Sequence, residues 1–413
     1  MNSSLFIAKK IITAGKGSKK NSKTIIKIAT IGTILSTVIM ILTIFISHGF
    51  KENIIEKVRG FSSDIQILNY DANQSFDYKA ISLTDEQANK ISTIDNIKSV
   101  AGFISKPSIL KYKNNIEGIV LKSYQSTNDY DFFRRNIIKG KFPNFDNKEI
   151  LISEEMSMRL QLDTGQKVLL YFIQDPIRFR KLKVSGIYKT DIYEFDHLFA
   201  VVDIRLLQKL NSWECNQYSG FEIILKNSNK EIDSQKKIDQ IIRPQYFKKD
   251  KRKTLLKSKN KHERYPEFYS WFNLFDNNVL VIISLMIAVA IINLISALLI
   301  IIIENTNLIG MLKSFGSENG SIRNIFLYLS IYLALKGIVW GNIIALVLAF
   351  LQYYFQIIPL DAKNYYISYV PIGFDWLNLL ILDVLSILLI IMFLIIPSSY
   401  ISRISPIKVI RFN

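Results

Sequence analysis

The chain has 413 residues, of which 49% are hydrophobic and 21% are charged, and 52 Lys and Arg against 35 Asp and Glu give a net charge of +17. Four apolar runs are each long enough to cross a hydrocarbon core, since a helix rises about 1.5 Å per residue. This pattern excludes a disordered polyelectrolyte and a soluble protein that binds nucleic acid, and it predicts a multi-pass membrane protein. The four runs are Ile25–Ser47, Val279–Ile303, Phe326–Phe350 and Trp376–Ile396.

The N-terminal segment, residues 1–24, is basic. Residues 1–27 contain seven lysines and no acid, so the positive-inside rule places this end in the cytoplasm. An apolar face over Leu5–Ile12 predicts a short helix in the cytoplasmic interface, with a frayed helix as the alternative. The first crossing, residues 25–47, is longer than a signal-peptide core and no small-x-small cleavage site follows it, so we expect a retained anchor.

The long segment at residues 48–275 is large enough to bury a core of its own. A capping box at Thr84–Gln87 and the acid Asp203 predict two helix starts. Together with the strand patterns, these signals predict an α+β domain, in which we expect the single cysteine, Cys215, to be free and partly buried. Runs of β-branched and aromatic residues predict strands at Glu149–Ser153, Val168–Ile173, Leu182–Ile187 and Phe221–Leu225.

Nine Lys and Arg residues crowd the end of this segment, between Lys248 and Arg264. They predict either a collar near lipid headgroups or a mobile, solvated connector. Aromatic residues follow between Tyr265 and Phe272, as is typical of a membrane-interface belt. The second crossing, residues 276–303, begins directly after them.

The loop at residues 304–325 joins the second crossing to the third, residues 326–351. Its apolar positions follow helical spacing and stop at Gly316. Because the loop is short, this amphipathic helix must lie flat at the membrane surface, where a partner protein can bind it; an ordinary interfacial helix is the alternative. The apolar positions are Leu308, Ile309, Met311, Leu312 and Phe315.

The remaining segments agree with one orientation. The loop at residues 352–375 has fewer bases than acids, as expected outside, and the fourth crossing follows at residues 376–397. The tail at residues 398–413 has three bases and no acid. The rule therefore places both termini in the cytoplasm and the domain at residues 48–275 in the periplasm.

Three polar residues lie within the apolar runs. Lys336 and Asp383 are each near mid-depth in the third and fourth crossings, and ionisable groups there are usually paired or face a cavity. We therefore hypothesise that these two residues pair, with snorkelling or burial against a partner subunit as alternatives. For Asn293, in the second crossing, we expect a hydrogen bond between helices rather than contact with a substrate.

Signatures of catalytic, metal and nucleotide sites are lacking in the sequence. Gly15–Ser18 has neither the first glycine nor the spacing of a phosphate-binding loop. The three histidines are scattered, no cysteine cluster accompanies them, and no G-x-S-x-G elbow occurs. We expect His197 to lie in a surface turn. The sequence predicts a non-enzymatic chain without a cofactor of its own, whose energy source is another subunit.

The loop after the second crossing resembles the coupling-helix region of the MacB/FtsX superfamily of ABC transporter permeases. Glu304–Phe326 reads E-N-T-N-L-I-G-M-L-K-S-F-G-S-E-N-G-S-I-R-N-I-F, close to the family pattern of an acid, then I-G-x-L-[KR]-x-[LF]-G and I-x-x-x-[FI]. Four further segments are similar to the lipoprotein-releasing (LolC/LolE-type) branch, so the resemblance covers nearly the whole chain. They are Leu5–Lys10, His48–Lys51, Val289–Ser296 and Arg403–Arg411.

The resemblance implies four transmembrane helices, a MacB-type periplasmic core inserted between helices 1 and 2, and an FtsX-like permease domain at residues 275–405. It implies a dimer of permease subunits, homomeric or heteromeric, that pairs with a cytoplasmic ABC ATPase dimer and transmits its motion. It also implies a lipoprotein substrate, contact with membrane lipids and a periplasmic carrier. The residues expected to dock the ATPase are Gly310, Met311, Leu312, Lys313 and Phe315.

One departure affects the carrier. The LolC-like partner has a long loop between two strands, whereas here Gln174–Arg178 joins the predicted strands tightly. Two other functions stay open at this point: a MacB-like exporter of peptides or antibiotics, and an FtsX-like signalling permease that controls cell-wall hydrolases. Lipoprotein release is the leading hypothesis.

Overall fold

The computed structural model describes residues 6–8, 20–71, 76–125, 130–242 and 255–398. The chain forms two compact units. The helical unit comprises Met1–Glu52, Trp271–Pro359 and Val370–Asn413, and the α+β unit comprises Asn53–Ser270 and Leu360–Tyr369. Of the predicted N-terminal helix, residues 6–8 are helical, and the rest of that prediction lies outside the described residues.

The elements are numbered in chain order. The strands are β1 (Ile65–Asn69), β2 (Ile97–Tyr112), β3 (Asn115–Tyr124), β4 (Ile137–Gly140), β5 (Glu149–Ser153), β6 (Lys167–Phe172), β7 (Arg178–Tyr188), β8 (Phe199–Val201), β9 (Gly220–Leu225) and β10 (Leu256–Asn260). The helices are α1 (Lys20–Ser62), α2 (Asp85–Ser92), α3 (Asp131–Arg135), α4 (Glu154–Leu160), α5 (Tyr193–Leu198), α6 (Ile204–Asn211), α7 (Glu231–Ile242), α8 (Lys261–Arg264), α9 (Pro266–Glu304), α10 (Thr306–Ser314), α11 (Asn319–Phe355), α12 (Ala362–Tyr365) and α13 (Trp376–Ser398).

Four helices of the described chain are long and apolar enough to cross a membrane: α1, α9, α11 and α13. Each contains one of the four apolar runs of the sequence, so the four predicted apolar helices are confirmed. The three longest extend beyond the runs, since α1 continues to Ser62 and α11 begins at Asn319.

Small residues bring α11 close to α1. A Cβ added to Gly337 would lie 2.7 Å from the Cβ of Thr33, and one added to Gly341 would lie 2.6 Å from the Cβ of Thr37. Positions four residues apart share one face of a helix, so this is a small-xxx-small contact. The buried Ala345 continues the same face of α11.

The α+β unit contains a sheet in the order β10-β1-β9-β2-β3-β8-β5-β7-β4. β6 pairs with both β2 and β7, so six strands follow one another in a closed ring: β2, β3, β8, β5, β7 and β6. The core between this sheet and the helices is aliphatic; Ile104, Leu121, Ile152, Leu170 and Ile223 are fully buried in it.

The helix starts and strands that the sequence predicts for this unit are present in the structure. Thr84 and Gln87 form the capping box of α2, and Asp203 accepts from Arg205 N at the start of α6. All four predicted strands exist, within longer bounds for β7. β6 and β7 are antiparallel with Phe172 opposite Arg178, so their connection is as tight as the sequence indicated.

The end of the polybasic stretch is folded, which corrects the interpretation of residues 255–264 as a mobile connector; the collar near lipid headgroups stays a prediction. β10 pairs with β1, and the Lys261 side chain is only 6% exposed, with Nζ 3.0 Å from Glu231 Oε2 and 3.6 Å from Asp64 Oδ1. Tyr265, expected in an aromatic belt, hydrogen-bonds Ser62 at 2.7 Å. The lysines and arginine at residues 248–253 lie outside the described residues.

Two further expectations are corrected by the α+β unit. Cys215 is exposed rather than partly buried. Residues 360–369, assigned from the sequence to a separate loop, belong to this unit: Lys57 Nζ donates to Tyr366 O at 3.1 Å, and Tyr366 OH donates to Glu194 Oε1 at 2.9 Å.

Candidate functional site

An apolar cleft opens in the helical unit between α1, α9 and α13. Its volume is about 640 Å³, which lies in the range of small-molecule pockets. Aliphatic side chains dominate because all three helices present branched residues at helical spacing. The walls include Ile44 of α1, Leu280, Ile283 and Ile287 of α9, and Leu382 and Leu385 of α13.

Charged residues line one end of this cleft. Lys51 of α1 forms an ion pair with Asp276 of α9. His48 Nδ1 lies 3.7 Å from Asp375 Oδ2, and its Nε2 lies 3.2 Å from Glu52 Oε1. We call these five residues the rim; four of them line the cleft, and Glu52 joins them through its contact with His48. The cleft therefore combines an apolar interior with a polar, mostly acidic mouth.

The His48–Lys51 segment, noted in the sequence only as a similarity, has a structural role at each position. His48 and Lys51 supply the contacts of the rim. Gly49 lies against the segment before α13, because a Cβ there would be 2.6 Å from Gly373 N. Phe50 is buried beside Phe275, with ring centroids 5.9 Å apart.

The predicted amphipathic helix exists as α10. It ends at Ser314, and Gly316 follows the cap residue Phe315 with a φ of +85°, which favours glycine; Ser317 N donates to Leu312 O at 3.0 Å. The predicted docking residues divide by exposure: Met311 is 50% exposed and Phe315 83%, whereas Gly310 is buried. Leu312 and Lys313 are half-buried.

The hypothesis that Lys336 pairs with Asp383 is wrong for this structure. Asn342 Nδ2 lies 3.1 and 3.2 Å from the carboxylate oxygens of Asp383, while Lys336 is exposed. Lys336 precedes Asn342 by six residues, about 9 Å along the helix axis. α11 continues past the apolar run to Phe355, so Lys336 lies about 28 Å before the end of α11, whereas Asp383 lies only about 10 Å after the start of α13.

The third intramembrane polar residue, Asn293, packs tightly against α1. A Cβ added to Gly32 would lie 1.6 Å from Asn293 Nδ2, so the amide fills the space that the glycine leaves. Within the described chain we find no hydrogen bond from Asn293 to another helix. At this point the two helices therefore contact each other through close packing rather than through a hydrogen bond.

His197 does not lie in a surface turn but near the end of α5. Its carbonyl accepts from Arg159 Nη2 at 2.9 Å, and its ring contacts that of Tyr193, with centroids 5.3 Å apart. The neighbouring Asp196 is buried. These contacts indicate a structural role for His197.

The sequence analysis missed the cleft and its rim. The signal was present, since His48 and Lys51 follow the first apolar run, Asp276 precedes the second and Asp375 precedes the fourth. In an alternating topology these ends lie on one side of the membrane. Sequence does not say which helices are neighbours, so the pairs themselves needed the structure.

Two family models match the chain. The MacB-like periplasmic core domain matches residues 28–241, just over half of the chain, and the FtsX-like permease C-terminal region matches residues 280–406.

Curated relatives match along most of the chain. The LolC transmembrane protein of the lipoprotein-releasing system of Buchnera aphidicola subsp. Acyrthosiphon pisum is 26% identical over 87% of this chain and 88% of that protein. The LolE protein of the same system in Haemophilus influenzae is 20% identical over 96% of each. Among solved structures, the periplasmic region of MacB from Actinobacillus actinomycetemcomitans is similar to part of this chain. The match covers 52% of this chain and 97% of the MacB region, with 15% identity and a TM-score of 0.36. The chain therefore belongs to the MacB/FtsX family of ABC transporter permeases.

Proposed function

We propose that this permease subunit releases lipoproteins from the inner membrane of a bacterium, driven by an ATPase on a separate subunit. The observation that carries the proposal is the apolar cleft with a polar mouth, which suits an acyl chain attached to a polar group. Its relatives are named as parts of lipoprotein-releasing systems and match along 87% and 96% of the chain.

The physical problem is to remove a lipid anchor from a bilayer. Each methylene transferred from hydrocarbon to water costs about 0.8 kcal/mol, so a chain of ~15 methylenes costs on the order of 12 kcal/mol. An apolar cleft offsets this cost by receiving the chain before it meets water. The remaining cost, which includes emptying the cleft again, requires a coupled energy source.

The proposed topology has both termini in the cytoplasm and the α+β unit in the periplasm, as an insertion between transmembrane helices 1 and 2. Two features support it. The N-terminal residues 1–27 contain seven lysines and no acid, and the positive-inside rule applies to such short flanking segments. In sequence, the ten strands of the described chain all lie between α1 and α9.

We assign two exposed apolar residues, Met311 on α10 and Phe315 directly after its last residue, to the docking of a cytoplasmic ABC ATPase dimer. They are 50% and 83% exposed and four residues apart, and neighbouring exposed apolar side chains mark protein or membrane contact sites. A second permease subunit, identical or related, would complete the complex. Because β6 and β7 are joined tightly, this chain lacks the long loop expected of the LolC-like partner. We therefore assign the recruitment of any periplasmic carrier to the second subunit.

Reconstitution tests the function. The chain, co-purified with the ATPase and permease that bind it, is placed in liposomes with a triacylated lipoprotein. ATP is expected to move lipoprotein into the soluble fraction when a soluble acceptor for the lipoprotein is present and detergent is absent. ATP hydrolysis without any release would contradict lipoprotein transport and favour a signalling role.

A separate experiment tests the docking surface. Phe315→Asp is expected to abolish co-purification of the ATPase while membrane insertion stays intact, because a charge replaces the apolar contact. Met158→Asp is the matched control, since Met158 is a 58% exposed apolar residue on α4 of the α+β unit. Equal ATPase recovery with Phe315→Asp and with wild type would remove α10 from the proposed interface.

A further inference from the structure

We propose that the rim excludes anionic phospholipids from the cleft, so that the cleft selects acyl chains attached to an uncharged linkage. This inference rests on the proposed function and adds a selection rule to it. A transporter that accepts acyl chains faces an excess of membrane phospholipid, so it needs a feature that tells the two kinds of lipid apart.

The charge of the rim is the first observation. The rim contains three carboxylates, Glu52, Asp276 and Asp375, against two basic side chains, Lys51 and His48, so its acidic groups outnumber its basic ones. Asp276, in the lining of the cleft, is 51% exposed and meets whatever approaches the mouth, whereas Glu52 is not part of the lining and contacts His48. The mouth is therefore net negative.

The pairing of Lys51 is the second observation. A free ammonium at the mouth would attract a phosphate, because point charges of this kind are common phosphate ligands. Here Asp276 neutralises Lys51 directly. Like charges repel strongly where the surroundings are partly apolar, since the effective dielectric constant is lower there than in water. A phosphate at this position would also meet the carboxylate of Asp375 in the lining of the cleft, while Lys51 is already paired.

Neutral polar groups are the third observation. Ser47, Ser284 and Asn378 also line the cleft, and Asn378 Nδ2 donates one hydrogen bond to Asp375 Oδ2 at 2.7 Å, which leaves its second N–H. The lipid anchor of a triacylated lipoprotein joins its chains through ester, thioether and amide bonds, which carry no charge. Such a linkage can accept hydrogen bonds from hydroxyl and amide groups and meets no repulsion from the carboxylates.

Competitive lipid binding to the purified full-length chain tests this selection. The chain is held in an uncharged detergent, and native mass spectrometry measures retention of two probes. These are tripalmitoyl-cysteine amide, which is uncharged, and phosphatidylglycerol with matched chains. Wild type is expected to prefer the uncharged probe by about tenfold or more, as one or two like-charge contacts would give.

Variants of the rim give the sharper result. Asp276→Asn removes one carboxylate and frees Lys51, so phosphatidylglycerol retention is expected to rise until the preference is largely lost. Adding Lys51→Gln to Asp276→Asn should restore part of the preference. Glu52→Gln, at an exposed position, provides a second test if Asp276→Asn folds poorly. Asp163→Asn, in the α+β unit, is the control and should change nothing.

The outcomes separate the two proposals. If wild type retains both probes equally, or if Asp276→Asn and Glu52→Gln leave the preference unchanged, the selection rule is overturned while the proposed function stands. If wild type retains neither probe, the cleft is not a lipid site, and the proposed function loses its main support. Preference for the uncharged probe that falls in the rim variants supports both.

Discussion

Asn342 on α11 joins Asp383 on α13 through hydrogen bonds to both carboxylate oxygens, at 3.1 and 3.2 Å. We predict that Asn342→Leu destabilises the helical unit by about 1 kcal/mol, the usual scale for polar contacts between membrane helices. Thermal unfolding of the detergent-solubilised chain measures the effect. Lys336→Leu is the control and is expected to leave the unfolding temperature nearly unchanged. A larger loss with Lys336→Leu than with Asn342→Leu would restore the ion-pair hypothesis.

The close approach of α1 and α11 gives a second prediction. Gly341→Ala is expected to destabilise the helical unit, although alanine favours a helix by about 1 kcal/mol over glycine, because the new Cβ would lie 2.6 Å from the Cβ of Thr37. Gly320→Ala is the control, since no atom lies within 4 Å of a Cβ there. Adding Thr37→Gly to Gly341→Ala should recover stability. Thermal unfolding in detergent measures these effects. Equal unfolding temperatures for the two alanine variants would argue against tight packing at Gly341.

A buried ion pair gives a third prediction, in the α+β unit. Lys122 Nζ lies 2.9 Å from Glu222 Oε1 and donates to Phe61 O at 2.6 Å, and burial lowers the pKa of Lys122. Lys122→Met is expected to cost about 3–5 kcal/mol, because it leaves the Glu222 carboxylate buried without its cation. Chemical denaturation of the full chain, followed by a probe in this unit, measures the loss.

The double variant separates the pair from its parts. Lys122→Met combined with Glu222→Leu should cost less than the sum of the two single variants, since neither charge then remains unpaired. Simple additivity would show that the two side chains act independently.

Asp196 gives a prediction about pH. Burial raises its pKa to about 6, although hydrogen bonds from Thr190 and Asp191 oppose the shift. A folded-state pKa above the unfolded value favours the folded state at low pH. This contribution, of about 3 kcal/mol, is full below pH ~4 and is lost as the pH rises through ~6.

Asp196→Asn tests this dependence, because asparagine keeps the shape and does not titrate. The unfolding free energy of the wild-type α+β unit should fall more between pH 4 and pH 7 than that of the variant. Asp233→Asn, at an exposed position of α7, is the control and should follow wild type. Parallel curves for wild type and Asp196→Asn would rule out a titrating role.

Local patterns in the sequence were sufficient for the helices and for part of the sheet. Apolar length gave the four long helices, and side-chain chemistry gave the caps at Thr84 and Asp203, because both depend on neighbours in the chain. β2 was missed because it is buried along much of its length and contains Pro107, so it lacks alternation. The rim and the contact between Asn342 and Asp383 join distant segments, and one sequence does not specify which helices are adjacent.

β10 explains part of the lysine-rich stretch in a different way. Among the described strands it pairs only with β1, so it forms an edge of the sheet, and Lys257 and Lys259 alternate along it with buried positions. Unpaired edges invite strands from other molecules, and lysine on an edge strand disfavours such pairing. We therefore predict that replacing these two lysines with valine or threonine favours intermolecular β-structure during overexpression.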